Sequence, residues 1–289
     1  MARNIPAFLG CNAEYSSAGL ILFGVPFDGT TSFRPGARFG PGAIRQESVG
    51  VETYSPYIER DLTDCAIFDG GDIEVPAGSA ERMIALTKER AGQIIRDGKR
   101  FVMLGGEHLA SLGALQAAVM HYPDLHVIQL DAHADLRDVY QGEKLSHATV
   151  MRRVWELVGD GRIHQFGIRS GERSEFAFAQ KHTRMQKFNL EGFQENVREL
   201  KNKPIYFTLD LDVLDPSVLP GTGTPEAGGI AFHELLAAVL QLHRLNVVAC
   251  DVMELSPHYD HSGASTIAAC KIVREILLQM GSYPSSALQ

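Results

Sequence analysis

The feature that most limits the fold is an alternation that runs the length of the chain. Short apolar runs at residues 19–25, 65–68, 101–104, 126–130, 163–168, 185–188, 205–209 and 247–252 read as strands. Between them, residues 80–96, 111–121, 148–158, 232–245 and 265–280 carry apolar side chains near helical spacing; Ile84, Leu86, Ala91, Ile94 and Ile95 mark the first of these. Strand and helix repeated in this way predict an α/β fold, a parallel sheet with helices on both faces. No Pro/Gly/Ser linker, charge block, internal repeat or low-complexity tract divides the chain, so residues 1–289 are expected to form a single domain.

Such sheets bind ligands beyond the carboxyl ends of their strands, and the residues found there are unusual. The run at 101–104 leads into Gly105-Gly106-Glu107-His108. The run at 126–130 leads into Asp131-Ala132-His133-Ala134-Asp135. The run at 205–209 leads into Asp210-Leu211-Asp212, and the last run leads into Glu254. If these segments stay extended, alternate residues share a face, and Asp131, His133 and Asp135 point one way, as do Asp210 and Asp212. One buried carboxylate without a partner costs several kcal/mol or more. Five together require a compensating cation, and two divalent ions neutralise four carboxylates. His108, Asp131, His133, Asp135, Asp210 and Asp212 therefore read as a binuclear metal centre.

Four carboxylates and two imidazoles without thiolate disfavour structural zinc and iron–sulfur clusters and suit Mn²⁺ best, with Co²⁺, Ni²⁺ or Fe²⁺ also open on geometry. Such a pair activates water near neutral pH. A lone DxH or DxD is a weak signal, and acids at strand ends often cap helices or form turns. Asp215-Pro216 is read as a turn of that kind. The conjunction of GGEH, DxHxD and DxDxxDP, each after an expected strand, is what points to metal.

With GGEH, DAHAD, FTLDLDVLDP and DVMELSP in this order, the sequence resembles the ureohydrolase family of arginases and agmatinases. The resemblance covers essentially the whole chain and includes SFRPGARFGPGAIR and FGIRSGE. It implies a single three-layer α/β/α domain (arginase-like) with a mostly parallel sheet of about eight strands. It also implies two Mn²⁺ per subunit and hydrolysis of a guanidino group to urea and an amine. By the same resemblance His108, Asp131, Asp135 and Asp210 hold one ion, and Asp131, His133, Asp210 and Asp212 the other. Glu254 would pair with the substrate guanidinium, a planar cation suited to a bidentate carboxylate. His147, in the loop before residues 148–158, would bind substrate or relay protons. Asp135 would move the proton from the attacking water to the leaving amine.

The remaining segments read more plainly. His121, His164, His182, His233 and His243 fall on helices or strands without evident partners, and His258 and His261 lie close in sequence to Glu254. Arg34, Arg38 and Arg45 sit in a Gly/Pro-rich loop that could close over the site, meet another subunit or be structural. Residues 221–229, GTGTPEAGG, lack the Walker lysine and dinucleotide spacing and read as a turn-rich loop at the site edge.

Substrate choice turns on residues 136–144, which do not resemble the Ser/Thr/Asn-rich arginase loop that holds an amino acid. Acids in that stretch, and Glu172, suit a ligand ending in an ammonium. The expectation is agmatine, cleaved to putrescine and urea as in polyamine biosynthesis. The alternatives are arginine, a guanidino acid such as guanidinobutyrate, or a non-catalytic relative that binds metal or polyamine-like ligands.

Composition sets the outer bounds. Lys+Arg 27 against Asp+Glu 35 leaves a net charge of −8 with no basic run, which excludes a nucleic-acid partner and suits a small cationic substrate. No stretch nears about 18 consecutive apolar residues, so no membrane span is expected. Residues 1–14 show no convincing signal peptide. Cys11, Cys65, Cys250 and Cys270 are scattered, without metal spacing. Cys65 and Cys250 lie in strand-like runs and read as buried thiols, which points to the cytoplasm. The resemblance further implies a homo-oligomer, trimer or hexamer.

Overall fold

A computed structural model describes residues 6–76 and 78–281. The first five residues of the segment read above for a signal peptide lie outside the described residues. The strands are β1 (Leu20–Val25), β2 (Tyr54–Ser55), β3 (Arg60–Asp61), β4 (Ile67–Asp72), β5 (Arg100–Gly105), β6 (His126–Leu130), β7 (Ile163–Ile168), β8 (Arg184–Lys187), β9 (Pro204–Asp210) and β10 (Asn246–Met253). The helices are α1 (Gly40–Glu47), α2 (Ala80–Arg96), α3 (Ser111–His121), α4 (Val150–Val158), α5 (Arg173–His182), α6 (Phe193–Glu199), α7 (Phe232–Val239) and α8 (Ala264–Met280). β2 and β3 form a small antiparallel pair. The other eight strands form one sheet in the order β4-β1-β5-β10-β9-β6-β7-β8, and every pairing in it is parallel.

The three layers follow from alternation along the strands. In β1, Leu20 and Leu22 join one buried cluster, while Ile21, Phe23 and Val25 join the other; Val102 and Leu104 against Phe101 and Met103 do the same in β5. The first cluster is covered by residues of α1, α6, α7 and α8, the second by residues of α2, α3, α4 and α5. A strand buried on both faces reads as a continuous apolar run rather than an alternating one. Each fully buried Leu, Ile or Phe in these layers contributes about 1.5–3 kcal/mol. All four cysteines are buried. Among the described residues no helix is long and apolar enough to cross a membrane.

Several helix ends carry their own signals. The Ser79 side chain accepts from Arg82 N–H and opens α2. Gly159, at φ 84°, closes α4. Three expectations change. The Gly/Pro-rich segment around Arg38 and Arg45 contains a helix, α1, with Pro41 in its first turn, where proline costs nothing. Helices α5 and α6 are too short and too polar to show an apolar stripe. The stretch 232–245 breaks after Val239 into a separate 3-10 turn, Leu242–Arg244.

Candidate metal centre and substrate pocket

The four strands that end in acids or histidine, β5, β10, β9 and β6, are consecutive neighbours at the middle of the sheet. Their carboxyl ends therefore meet, although His108 and Glu254 are 146 residues apart. Gly105 and Gly106 make the turn possible. A Cβ on Gly106 would lie 1.9 Å from the Phe27 carbonyl oxygen, and one on Gly105 would lie 2.0 Å from the Met253 side chain. Only glycine fits this crossing.

His108 follows in a 3-10 turn with its side chain buried. Its Nδ1 lies 3.1 Å from Asp131 Oδ2 and 3.3 Å from both Asp135 Oδ2 and Asp210 Oδ2. His133 Nδ1 lies 2.9 Å from Asp212 Oδ2 and 3.7 Å from Asp131 Oδ1. Two groups competent to hold a divalent ion result: His108, Asp131 and Asp135; and Asp131, His133 and Asp212. Asp131 belongs to both and sends one oxygen to each. Asp210 turns Oδ2 toward the first group, while its Oδ1 accepts from Asp212 N–H at 2.9 Å.

Strand alternation is not what brings these residues together. β6 stops at Leu130 and β9 at Asp210, so Asp131–Asp135 and Asp212 lie in turns. Asp131 Oδ1 accepts from His133 N–H at 2.6 Å, and Asp210 does the same for Asp212. Aspartates that bond the backbone two residues on form such turns readily. Asp135 then takes a left-handed backbone, φ 53°, held by Arg152 N–H on its carbonyl at 3.1 Å and by Leu136 N–H on Glu175 at 2.9 Å. Glu254 is left-handed too, φ 68°, with its N–H on the Gly106 carbonyl at 2.9 Å. Non-glycine residues pay about 1–3 kcal/mol for such conformations, which persist at functional sites when neighbours enforce them.

The electrostatics fit a cation. Burial, then the charge of Asp131, pushes the Asp135 carboxyl up to about 7. Burial, then the charges of Asp212 and Asp131, pushes Asp210 well above its usual range. Asp131 goes the other way: burial raises it, but contacts with His108 and His133 outweigh that and hold it down. These acids cannot all ionise together without positive charge among them. His108 Nδ1, buried at the focus of three carboxylates, makes no directed hydrogen bond. A ring nitrogen so placed, with oxygen-rich company, fits a metal ligand.

The cavity above this cluster is lined by His108, His133, Asp135, Asp210, His147, Glu254, Arg137, Tyr140 and Thr224. Glu254 Oε1 accepts from His108 N–H at 2.7 Å. Burial, then the neighbouring charge of Glu107, raises its carboxyl well above the usual value. His147 opens a short turn capped by Ser146. Its Nδ1 lies 3.0 Å from the Thr30 carbonyl, which can only accept, so Nδ1 carries the proton and Nε2 faces Ser32 Oγ at 3.3 Å. Burial brings the ring down to about 4, so it is neutral at pH 7.

Several supporting residues escaped the sequence reading. Glu107 is wholly buried beside His108 and accepts from Thr30 N–H at 2.9 Å and from the Thr30 hydroxyl at 2.5 Å. Thr30 in turn holds His147, so Glu107 braces that histidine through one residue. Gln129 donates to Asp131 Oδ2 at 2.7 Å and is itself oriented by Gln165 at 2.7 Å. Arg169 ties down the main chain at Asp212 and Val213. The only signal for these was a polar residue inside an apolar strand or motif.

Other expectations resolve by partner. Asp215 is a turn former, as read: it accepts from the Ser217 hydroxyl and from Ser217, Gly229 and Gly228 N–H, which hold it down at about 2. The loop 221–229 reaches the cavity through Thr224. Arg45 is buried against Asp69 and Asp72, and Arg38 pairs with Asp28, so both brace the fold. Glu172 and Asp138, expected to meet an ammonium, are engaged by Arg137 and Arg153 instead. His164 and His182 do have partners, Asn196 with His126 and Asp160 respectively. His258 stacks on Phe39 and does not line the cavity.

A parallel sheet covered on both faces, with a metal-competent carboxylate–histidine cluster beneath a cavity at its carboxyl edge, has the parts that metal-assisted hydrolysis requires. The arginase family model matches residues 18–279. The agmatinase of Bacillus subtilis (strain 168) is 46% identical over 275 residues, 94% of this chain and 95% of that one. The agmatinase of Bacillus anthracis is 44% identical over the same shares. The crystal structure of agmatine ureohydrolase of Thermoplasma volcanium superposes with a TM-score of 0.87 at 32% identity, covering 96% of this chain and 94% of that one. The chain belongs to the arginase family and is a hydrolase of that family.

Proposed function

We propose that this chain is a binuclear manganese agmatinase, one domain that hydrolyses agmatine to putrescine and urea. The observation that carries the chemistry is the placement of Glu254 in one cavity with the cluster around His108 and His133. The substrate is supported by the likeness to named agmatinases. The reading extends to a cytoplasmic homo-oligomer, trimer or hexamer, in polyamine biosynthesis.

The ligands would be His108, Asp131, Asp135 and Asp210 for one ion, and Asp131, His133, Asp210 and Asp212 for the other. When bound, the pair supplies an activated water at neutral pH and offsets the carboxylate charge. A guanidinium, with a pKa above ~12, stays protonated at neutral pH, and its carbon is a poor electrophile. Glu254 fixes it over the cluster: Oε1 is already oriented by His108 N–H, and the rest of the carboxylate faces the cavity. Asp135 takes a proton from the attacking water. The same proton passes to the amine nitrogen as the C–N bond breaks. His147, neutral and with Nε2 toward Ser32, exchanges protons with solvent. The water oxygen bonds the guanidino carbon before the C–N bond breaks. The hydroxyl proton left on that carbon is then lost, while the freed amine takes one up through solvent. Guanidinium and water thus become urea and an ammonium, with charge and atoms balanced.

The test is urea release from Mn²⁺-loaded protein, with agmatine, arginine and guanidinobutyrate in parallel and a chelated control. Urea from agmatine alone, lost on chelation, is expected. Urea from another guanidine instead would overturn the substrate; urea from none, with metal bound, would overturn the activity.

A further inference from the structure

Behind His108, away from the cavity, lies a chain of buried polar groups that the reaction does not use. His108 Nε2 is 2.8 Å from Thr208 Oγ1. The Thr208 hydroxyl donates to Asp251 Oδ1 at 2.5 Å, and the Tyr206 hydroxyl donates to Asp251 Oδ2 at 2.7 Å. Thr208, Tyr206 and Asp251 are each 0% exposed. The sheet register explains the arrangement. Asp251 of β10 is paired with Thr208 of the neighbouring β9, and Tyr206 lies two residues earlier on the same face. Three polar side chains in the middle of a parallel sheet would be a liability unless each satisfied the next.

Hydrogen-bond direction gives this chain a consequence. Thr208 has one hydroxyl proton, and Asp251 receives it. The Thr208 oxygen can then only accept from His108, so Nε2 of the neutral ring carries the hydrogen. Nδ1, the atom that faces Asp131, Asp135 and Asp210, keeps its lone pair. Ligand histidines are oriented and made more basic by a carboxylate or carbonyl on the far nitrogen. Here a hydroxyl stands between the ring and the carboxylate.

We infer that Thr208 and Asp251 are positioning residues for the metal centre, holding His108 in the tautomer that presents Nδ1 to one of its two ions. The inference rests on the metal reading proposed above. It makes the two ions unequal: among the described residues His133 has contacts to Asp131 and Asp212 but no such buried relay behind it, so the effect is confined to the ion on His108.

The experiment compares wild type with Thr208→Val, Thr208→Ser and Asp251→Asn. Mn²⁺ binding is followed by equilibrium dialysis with metal analysis. Electron paramagnetic resonance distinguishes a spin-coupled ion pair from an isolated ion. Wild type is expected to bind two ions. Thr208→Val removes the acceptor while keeping volume, and is expected to weaken one ion by ~10–100-fold while the other is retained. At intermediate Mn²⁺ its spectrum is therefore that of an isolated ion. Thr208→Ser restores the hydroxyl and is expected within about threefold of wild type. Asp251→Asn can still accept from Thr208 but without charge, and gives a smaller loss at the same ion. It also serves should the valine variant fail to fold. Two ions bound by the valine or asparagine variant with wild-type affinity would overturn the relay, as would an equal loss at both ions. Failure of wild type to bind Mn²⁺ would instead remove the metal reading itself.

Discussion

Glu254→Gln isolates the charge that is proposed to hold the substrate. The exchange is close to isosteric, and the amide oxygen can still accept from His108 N–H, the one hydrogen bond the carboxylate makes among the described residues, at 2.7 Å. The left-handed backbone at 254 depends on the Gly106 carbonyl, not on the side chain, so the fold has no reason to change. What disappears is the negative charge of a side chain whose residue is only 6% exposed. Removing one partner of a desolvated, hydrogen-bonded charge pair costs about 2–5 kcal/mol. At about 1.36 kcal/mol per decade, that is roughly 30- to 5,000-fold in kcat/KM. The amide keeps one acceptor for the guanidinium, which places the expectation near 10²–10³-fold. The assay is urea release over a range of agmatine concentrations, with Mn²⁺ content and thermal midpoint measured on the same preparations. A kcat/KM within threefold of wild type, at equal metal content, would refute the assignment of Glu254. A fall accompanied by loss of metal would mean that it acts on the cluster instead.

Three further outcomes follow from the buried charges. Chelation of the metal should lower the thermal midpoint by at least ~5 °C and Mn²⁺ should restore it, because an ion at a hundred times its Kd stabilises by about 2.7 kcal/mol; an unchanged midpoint would mean the carboxylate cluster holds no ion. Arg45→Met takes the guanidinium from one buried and one half-buried carboxylate, Asp69 and Asp72, and is expected to cost about 3–5 kcal/mol in denaturant unfolding; a cost below ~1 kcal/mol would show that other partners hold these acids. Burial brings His164 down to about 3, below its unfolded value of 6.5, so the unfolded chain binds the extra proton between those limits. Its contribution is complete above pH ~6.5 and is lost as pH falls toward ~3, with a slope of up to about 1.4 kcal/mol per pH unit. His164→Gln should flatten the fall in stability over that window, and parallel curves for the two proteins would rule the contribution out.

The sequence reading reached the fold because it rests on local periods. Eight apolar runs became eight strands, and all but a few residues of α2, α3, α4 and α8 were visible as helical stripes. It missed α5 and α6, whose faces are too short to repeat, and it took the α1 segment for a loop because glycine and proline dominate it. It singled out the six cluster residues from their chemistry, since so many acids at strand ends demand a cation. It drew their geometry wrongly. The strands end before the motifs begin, and turns made by Asp131 and Asp210 aim the side chains. Asp138 and Glu172 looked available for a cationic ligand because their arginine partners, Arg153 and Arg137, come from other segments of the chain.

The amino-acid sequence by itself determined the parallel α/β architecture, the edge of the sheet that carries chemistry and the class of atoms gathered there. Those follow from hydrophobic period and from the valence of side chains, which need no neighbours to be read. Tertiary structure decided the rest. The order of the four central strands makes Glu254 a neighbour of His108 and places Asp251 beside Thr208. The left-handed turns at Asp135 and Glu254 exist only because distant backbone groups hold them. Strand order and enforced strain arise from contacts far apart in the chain, and a local pattern carries no record of them.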